Sequence, residues 1–318
     1  MNRALLLVGS SNRGAYARPN LLSKISNLSL DILWIDKKLA IEFSTGRLLV
    51  QNNRRYDLLS YNLIIYWPPS FQNPRNRIGS GFSQDEYVSR SWRVVEEAMF
   101  FDLDHLLLNP YHAAYTAANK AIVHFACLKN KIPIPLTTIT NSIGTSSAST
   151  RNGRVVKTVT DTVDIDQDLQ LYTTNYLPEE QSDEPLSDNP FVFQEFIKAV
   201  CEYRVYFFRG DIIIARIERK DGLADVRLVQ GTVMKCRIVN NREISDVTFR
   251  LAGIFNLVMF SADFVEDKDG RIYFLDLNPH GSWTWLETSV RRKVDQGYVD
   301  LVRELLPTTR TTIAHRDR

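Results

Sequence analysis

The sequence predicts a mixed α/β (α+β) protein, and three observations support this class. Short apolar runs near the N-terminus are typical of buried strands in an α/β unit: ALLLV, LDILWID and NLIIYW. Between residues 84 and 130, apolar residues recur at helical spacing. Beyond residue 190, strand-like runs follow one another closely, which favours a mostly antiparallel sheet.

Length and composition are those of an ordinary globular protein. The chain has 318 residues, which suggests about two or three compact units. Its residues are 44% hydrophobic and 24% charged, a balance that excludes wholesale disorder. Lys plus Arg exceeds Asp plus Glu by 39 − 37 = 2, so the net charge is too small to attract nucleic acid. We therefore expect no nucleic-acid partner.

The cysteines and the first apolar run indicate the cellular compartment in which the protein is expected. Cys127, Cys201 and Cys236 are far apart and form no C-x-x-C pair, which argues against a zinc site or a disulfide framework and favours a reducing environment. The apolar run at residues 4–8 is too short for a signal peptide core or a membrane span. We expect a cytoplasmic protein that has no membrane partner.

The N-terminal elements begin with strands at residues 4–8, 30–36 and 62–67. The polar turn at residues 9–13 has the position of a phosphate loop, but it lacks G-x-G-x-x-G, so a plain βα turn is the preferred interpretation. A helix follows, because its apolar residues repeat at intervals of four, three and four: Val88, Trp92, Val95 and Met99.

The middle of the chain predicts a second helix over residues 113–130, which the two prolines of KIPIP prevent from continuing. A short strand follows at residues 155–160, and residues 177–190 form an acidic, proline-punctuated connector. Strands then succeed one another from residue 191 to residue 239, a helix covers residues 246–260, and two further strands flank residues 267–270.

That last pair of strands predicts the chemistry. If residues 267–270 or their central two form the loop, Asp263 faces Phe274, and Asp276 lies diagonally across from Asp263 on the same face. Asn278 shares this face with Asp276, because strand side chains alternate. The three oxygen-bearing side chains suit Mg²⁺, which prefers oxygen ligands.

Two other interpretations compete with the magnesium site. A calcium loop is rejected, because its pattern would place Val265 at the first ligand position. Asp276 and Asn278 as ordinary strand-end groups with local hydrogen bonds remain an open alternative. A loop one residue longer would also turn Asp263 to the other face.

An ordered series of motifs between about residues 107 and 290 carries a resemblance. The stretches are NPYHAAYTAANKAIVHFACLKNKIPIPLTTITN, VVKTV, LYTTNYL, FQEFIKAVCEYRVYFF, ADFV and FLDLNPHGSWTWLE. In this order they resemble the ATP-grasp superfamily of carboxylate-amine ligases, and within it the microviridin-type (graspetide) peptide-cyclising ligases. The first hundred residues match only loosely.

The resemblance implies a three-part ATP-grasp fold with ATP between the second and third parts. Residues 1–108 would form a pre-ATP-grasp α/β domain, residues 109–190 a small central subdomain, residues 191–306 a C-terminal antiparallel sheet, and residues 307–318 a frayed tail. A homodimer is the candidate assembly.

The resemblance also implies roles for basic residues. Lys120 and Lys157 would meet the nucleotide phosphates, since an ammonium group is a compact point charge. Arg204 would hold the terminal phosphate and the developing acyl phosphate, and an arginine among apolar strand residues needs an anionic partner. Arg216 and Arg227 are candidates for contacting the phosphate or the substrate carboxylate, with salt bridges within the sheet as the equal alternative.

By the same resemblance, a hinge strand would bind the nucleoside. Its backbone would hydrogen-bond the adenine edge at Gln194, Glu195, Phe196 and Ile197, and Glu202 would bind the ribose hydroxyls.

In the resemblance, Asp263, Asp276 and Asn278 become the ligands of two Mg²⁺ ions, with Asp276 as the bridge. The family usually has Glu at the Asp276 position, so the shorter side chain puts a bridging grip in question. The segment after Lys157 also lacks the glycines of the family's phosphate loop.

The activity that the resemblance implies is a ligation driven by ATP. A carboxylate becomes an acyl phosphate, which an amine or hydroxyl attacks to form an amide or ester. The expected substrate is a ribosomally made precursor peptide. The alternatives are a ligase that joins a free amino acid to a small carboxylate or a protein terminus, and a nucleotide-binding module without turnover.

Overall fold

The computed structural model describes residues 1–9, 18–35, 39–43, 46–67, 84–141, 153–159, 164–166, 169–170, 175–177, 190–218 and 235–307. Most of the turn at residues 9–13, most of the connector at residues 177–190, and Arg227 lie outside these ranges. Within the ranges, no helix is long and apolar enough to cross a membrane.

The N-terminal part is a parallel sheet with a small antiparallel sheet beside it. The parallel strands have the order β2-β1-β6-β7, and β3, β4 and β5 pair in antiparallel fashion. The elements are β1 (Asn2–Val8), α1 (Arg18–Leu22), β2 (Leu28–Trp34), β3 (Ala40–Glu42), β4 (Leu48–Gln51), β5 (Arg54–Asp57), β6 (Leu63–Trp67), α2 (Gln84–Phe100) and β7 (Leu107–Leu108). Residues 4–8 of β1 are buried on both faces, as in a covered parallel sheet.

The middle part combines two helices with a four-stranded antiparallel sheet of order β12-β9-β13-β8. Its elements are α3 (Tyr111–Ala118), α4 (Lys120–Lys129), β8 (Thr137–Thr140), β9 (Arg154–Thr158), β10 (Asp164–Asp166), β11 (Leu169–Gln170), β12 (Asn175–Leu177) and β13 (Phe191–Glu195). The predicted division at residues 190/191 stays a prediction, but β13 pairs with β8 and β9 in this sheet.

The single helix predicted over residues 113–130 is wrong, because Asn119 divides it. The Asn119 N–H donates to Thr116 O at 3.2 Å and ends α3. Its side-chain oxygen accepts from Ile122 N at 3.1 Å and begins α4. Asparagine favours such caps, since its side chain competes with helical hydrogen bonds.

The C-terminal part is a five-stranded antiparallel sheet of order β16-β15-β14-β17-β18, which confirms the predicted sheet type. Its elements are β14 (Ala199–Phe208), β15 (Asp211–Ile217), β16 (Cys236–Val239), α5 (Arg242–Phe255), β17 (Met259–Asp267), β18 (Ile272–Asn278) and α6 (Thr288–Leu305).

The two faces of this sheet belong to different cores. Tyr203 and Val205 of β14 point into a core shared with α4 and α5. Tyr206 and Phe208 point the other way, into a core shared with α6 and the N-terminal sheet. Arg204 lies on the second face by strand alternation, next to Tyr206.

Candidate active site

The pairing of β17 with β18 positions the predicted metal ligands. Asp263 lies directly opposite Asp276, and Ser261 lies opposite Asn278, so the four side chains share one face. The predicted pairing of Asp263 with Phe274 is wrong, because Phe274 pairs with Phe264.

A three-residue turn and a bulge explain this register. Asp267 N donates to Arg271 O at 3.0 Å, and Gly270 has a φ of +78°, the left-handed conformation that three-residue hairpin loops use. That loop alone would place Asp263 opposite Leu275. The pairing shifts by one residue between Phe274 and Asp276, which restores the alignment of the two carboxylates.

Core packing requires the same bulge. The rings of Phe264 and Phe274 lie 5.6 Å apart, and both are buried. Leu277 is also buried in this core, although it follows Phe274 by three residues. The extra residue therefore returns Leu277 to the core while Asp276 and Asn278 keep the opposite face.

Arg204 completes this face from the neighbouring strand. It pairs with Asp263 across β14 and β17, and Arg204 Nη1 donates to Asp263 Oδ1 at 2.6 Å. The residue is only 8% exposed. Its buried Nε has no hydrogen-bond partner among the described residues, and an unsatisfied buried donor is costly unless a ligand accepts from it.

Burial lowers the pKa of Arg204, but the Asp263 carboxylate and the Tyr206 hydroxyl outweigh this effect and raise the pKa above its ordinary value. The guanidinium is therefore permanently charged.

The loop after β18 passes closely over this arginine. At Gly281, an added Cβ would overlap with Ser261 Oγ and meet Arg204 Nη2 at 3.0 Å. Only glycine fits such a close approach, so Gly281 sets how near the loop comes to the site.

Asn109 anchors the end of the strand pair at which β17 begins and β18 ends. Its side-chain oxygen accepts from Val258 N at 3.0 Å and Met259 N at 2.9 Å, and its amide donates to Met259 O at 2.7 Å and Pro279 O at 3.3 Å. Asn109 is the first residue of the NPYHAAY stretch, but sequence reasoning does not single it out.

The predicted phosphate lysines gather around one buried histidine. Lys157 Nζ donates to Gln194 Oε1 at 2.9 Å, and Lys120 begins α4 one turn before His124. Burial lowers the pKa of His124 below its ordinary value, and the Lys157 and Lys120 charges act in the same direction, whereas the hydrogen bond to Lys120 O and the Asp276 charge act to raise it. Lys157 is thus linked to the imidazole through Gln194, and the charges of Lys120 and Asp276 act on the same ring.

The predicted hinge is the crossing between two sheets. Glu195 N donates to Leu136 O at 2.8 Å, and Phe196 N donates to Gly153 O at 3.3 Å, so both amides already belong to the central sheet. Residues 196–198, which include Ile197, join β13 to β14. Glu202 lies two residues before Arg204 on the same face of β14.

Arg216 does not lie on the face of the sheet that carries Arg204 and the predicted metal ligands. Arg216 pairs with Tyr203, so it lies on the opposite face of the sheet from Arg204. The Cys201 and Tyr203 side chains beside it raise its pKa above the ordinary value. Its predicted contact with phosphate remains untested, as does that of Arg227, which is outside the described residues.

Arg18 is a second buried arginine that sequence reasoning missed. Its guanidinium carbon lies 3.4 Å from the centre of the Trp67 ring and 4.3 Å from that of Trp283, and Arg18 Nη2 donates to Gly281 O at 3.2 Å. It thus joins the N-terminal part to the loop after Asn278. Nothing in the local sequence signals this contact, because its partners are distant in the chain.

No family model matches the chain, and no curated protein matches it. Solved structures do. The macrocyclase MdnC of Microcystis aeruginosa MRC, bound with the precursor peptide MdnA, is 16% identical with a TM-score of 0.74, over 95% of this chain and 99% of that one. A RiPP-associated ATP-grasp ligase of Chryseobacterium gregarium, in complex with ADP and a leader and core peptide, is 17% identical with a TM-score of 0.71, over 96% and 98%.

D-alanyl-alanine synthetase A of Vibrio cholerae is also similar, at 13% identity and a TM-score of 0.62, over 96% of this chain and 98% of that one. These matches extend over nearly the whole length of each chain. The chain therefore adopts the ATP-grasp fold.

Proposed function

We propose that the protein is an ATP-dependent ligase that activates a carboxylate as an acyl phosphate and joins it to an amine or hydroxyl. Its proposed substrate is a ribosomally made precursor peptide, in which it forms side-chain amide or ester crosslinks. The observation that carries this proposal is the alignment of Asp263 with Asp276 beside Arg204, whose buried Nε has no partner in the described part of the chain.

The donor set fits Mg²⁺. No three His, Cys, Asp or Glu side chains cluster tightly enough for a metal site within the described ranges, so an ion here would rest on Asp263, Asp276 and the Asn278 amide, with nucleotide oxygens completing its shell. The Asn278 Oδ1 atom also accepts from His280 N at 2.8 Å, which fixes its orientation. Bound Mg²⁺ would supply charge neutralisation at the transferred phosphate.

The protein's own side chains would position the reactants and stabilise charge. The terminal phosphoryl group would pass from ATP to a substrate carboxylate oxygen, and ADP would leave. The amine or hydroxyl would then attack the carbonyl carbon, and phosphate would leave with the bonding electrons and take up the proton that the nucleophile loses. Arg204 would stabilise the charge on the transferred group, and Lys120 and Lys157 would hold the nucleotide phosphates.

The similar structures support a peptide substrate, because MdnC and the Chryseobacterium ligase were each solved with a precursor, leader or core peptide. The likeness to D-alanyl-alanine synthetase A favours a second candidate, a ligase that joins free amino acids or other small carboxylates and amines.

The deciding experiment incubates the protein with ATP, Mg²⁺ and a peptide encoded beside its gene. We expect the peptide to lose the mass of one water for each ring closed, with one ADP released per ring. Free amino acids serve as the parallel substrate. ADP release with amino acids and not with the peptide would select the second candidate, and nucleotide binding without ADP release from either would reject both.

A further inference from the structure

A chain of hydrogen bonds connects the predicted phosphate lysine to helix α4. Lys157 Nζ donates to Gln194 Oε1 at 2.9 Å. Gln194 Nε2 and His124 Nε2 lie 3.1 Å apart, and His124 Nδ1 lies 2.7 Å from Lys120 O.

Donor and acceptor roles along this chain are fully determined. A carbonyl oxygen only accepts, so His124 Nδ1 carries the proton and Nε2 is an acceptor. The Gln194 amide must then point its NH₂ group at His124, which leaves its oxygen toward Lys157. The reverse amide orientation would place NH₂ against the ammonium group, where two donors would meet.

The two middle residues of this hydrogen-bond chain are buried, and one of them makes a further hydrogen bond. Gln194 is 2% exposed and His124 is 8% exposed. Gln194 Nε2 donates a second bond to Thr137 Oγ1 at 3.1 Å. Buried amide and imidazole groups with satisfied partners are held in one orientation, because turning them would leave donors or acceptors unpaired.

We propose that His124 and Gln194 are positioning residues that aim the Lys157 ammonium at the nucleotide phosphates. This inference rests on the proposed function, since it assumes that Lys157 meets phosphate. An ammonium group has three donors, and the bond to Gln194 sets the direction in which the side chain extends. The backbone carbonyl of Lys120 accepts a hydrogen bond from the same imidazole. The positions of both lysines therefore depend on His124.

This chain of hydrogen bonds requires a neutral His124 imidazole, and the groups around His124 favour the neutral form. Lys120 on α4 and Lys157 on β9 face His124 with positive charge, and Asp276 on β18 is the opposing negative group. Burial has the largest effect and acts with the two lysines, so the pKa of His124 lies below its ordinary value even though the hydrogen bond to Lys120 O acts to raise it.

The test compares His124→Leu with His124→Gln in the full chain. Leucine fills the volume without an acceptor, whereas the glutamine oxygen reaches the position of Nε2. We expect His124→Leu to weaken binding of ADP with Mg²⁺ about tenfold in calorimetry, and His124→Gln to restore it to within about threefold. Thermal unfolding of both variants is the control for a general loss of structure.

Equal binding by the two variants would overturn the proposal, whether both match the wild type or both are weakened. A drop in thermal stability without a change in ADP affinity would also overturn it, because that result shows a structural role alone.

Nitrogen NMR separates this inference from the proposed function. We expect the His124 ring of the wild type to be the Nδ1–H tautomer at neutral pH, assigned by the signal that His124→Gln lacks. The Nε2–H tautomer would overturn this chain of hydrogen bonds even in an active ligase. If the wild type bound neither ADP nor ATP, the proposed function would fail, and so would the positioning role that depends on it, whichever tautomer was found.

Discussion

Two buried arginines approach the same loop, and they are held in different ways. Arg204, in the C-terminal sheet, has a carboxylate partner at 2.6 Å. Arg18, from the N-terminal part, stacks between Trp67 and Trp283 and donates to a backbone carbonyl. Both guanidinium groups come close to Gly281.

The pKa values follow this difference. Asp263 keeps the pKa of Arg204 above its ordinary value despite burial, whereas burial lowers the pKa of Arg18 to about 10. Both groups keep their charge at neutral pH, so their surroundings distinguish them: a guanidinium beside a predicted metal ligand suits anion binding. One enclosed by aromatic rings serves mainly to fasten two parts of the chain. We therefore expect chemistry to depend on Arg204 and stability to depend on Arg18.

The largest effect should come from Arg204→Met, which keeps much of the volume and removes the charge. We expect ADP release with substrate to fall by about 10² to 10³, the usual loss when one donor to transition-state charge is removed. Arg204→Lys keeps a charge without the planar guanidinium, so its rate of ADP release should lie between those of the wild type and Arg204→Met. Turnover within about threefold of the wild type would remove Arg204 from the proposed mechanism.

Asp276→Ala tests the carboxylate that faces Asp263. We expect turnover to fall on the order of 100-fold, since a metal contributes several kcal/mol to charge stabilisation, and the Mg²⁺ concentration for half-maximal rate to rise. Asp276→Glu is the matched variant, which retains the carboxylate and should keep turnover within about tenfold. Unchanged magnesium dependence in Asp276→Ala would contradict the metal assignment.

Glu96 is a buried carboxylic acid whose pKa, like those of the two arginines, depends on its surroundings. Burial raises its pKa to about 7, although the neighbouring Tyr66 and Tyr111 hydroxyls act to lower it. The folded state therefore binds the proton more tightly, so its contribution to stability is present below about pH 4.5 and is lost as pH rises through about 7.

Glu96→Gln keeps the shape of the protonated acid. We expect it to raise the free energy of unfolding at pH 8 by up to about 3 kcal/mol and to change it little at pH 4.5. Urea unfolding of both proteins at the two pH values measures this. An equal effect at both values would show that Glu96 does not titrate in this range.

The smallest effect should come from Arg18→Met. Loss of the contacts with the Trp67, Trp283 and Tyr298 rings and of one hydrogen bond should destabilise the protein by about 2 kcal/mol, measured as a lower urea midpoint. Turnover of the folded enzyme should fall much less than in Arg204→Met. The reverse order, with Arg18→Met more damaging to turnover, would break the distinction between the two arginines.

The sequence predicted the sheet types and the polar strand residues well. Alternation along β18 correctly placed Asp276 and Asn278 on one face, and Arg204 among apolar neighbours correctly indicated an anionic partner. It did not predict the pairing of Asp263, because the turn length and the bulge each shift the register by one residue.

Local signals were missing for the contacts that assemble the site. His124 reads as one residue of an apolar helix, and its partner Gln194 is 70 residues away. Arg18 and Gly281 are separated by 263 residues. The strand of Arg216 resembles that of Arg204, but its pairing with Tyr203 turns its side chain to the other face, so only the tertiary structure separates the two arginines. The role of Arg216 stays a prediction.

By itself, the sequence determined which segments become strands or helices and which of them carry charge, because hydrophobic periodicity is a local property. The tertiary structure alone decided which charges meet. The bulge in β18 exists because Phe274 and Leu277 must both reach the core, and that demand also turns Asp276 toward Asp263. The residues that carry the proposed chemistry are therefore aligned by the packing of apolar residues on the other face of the sheet.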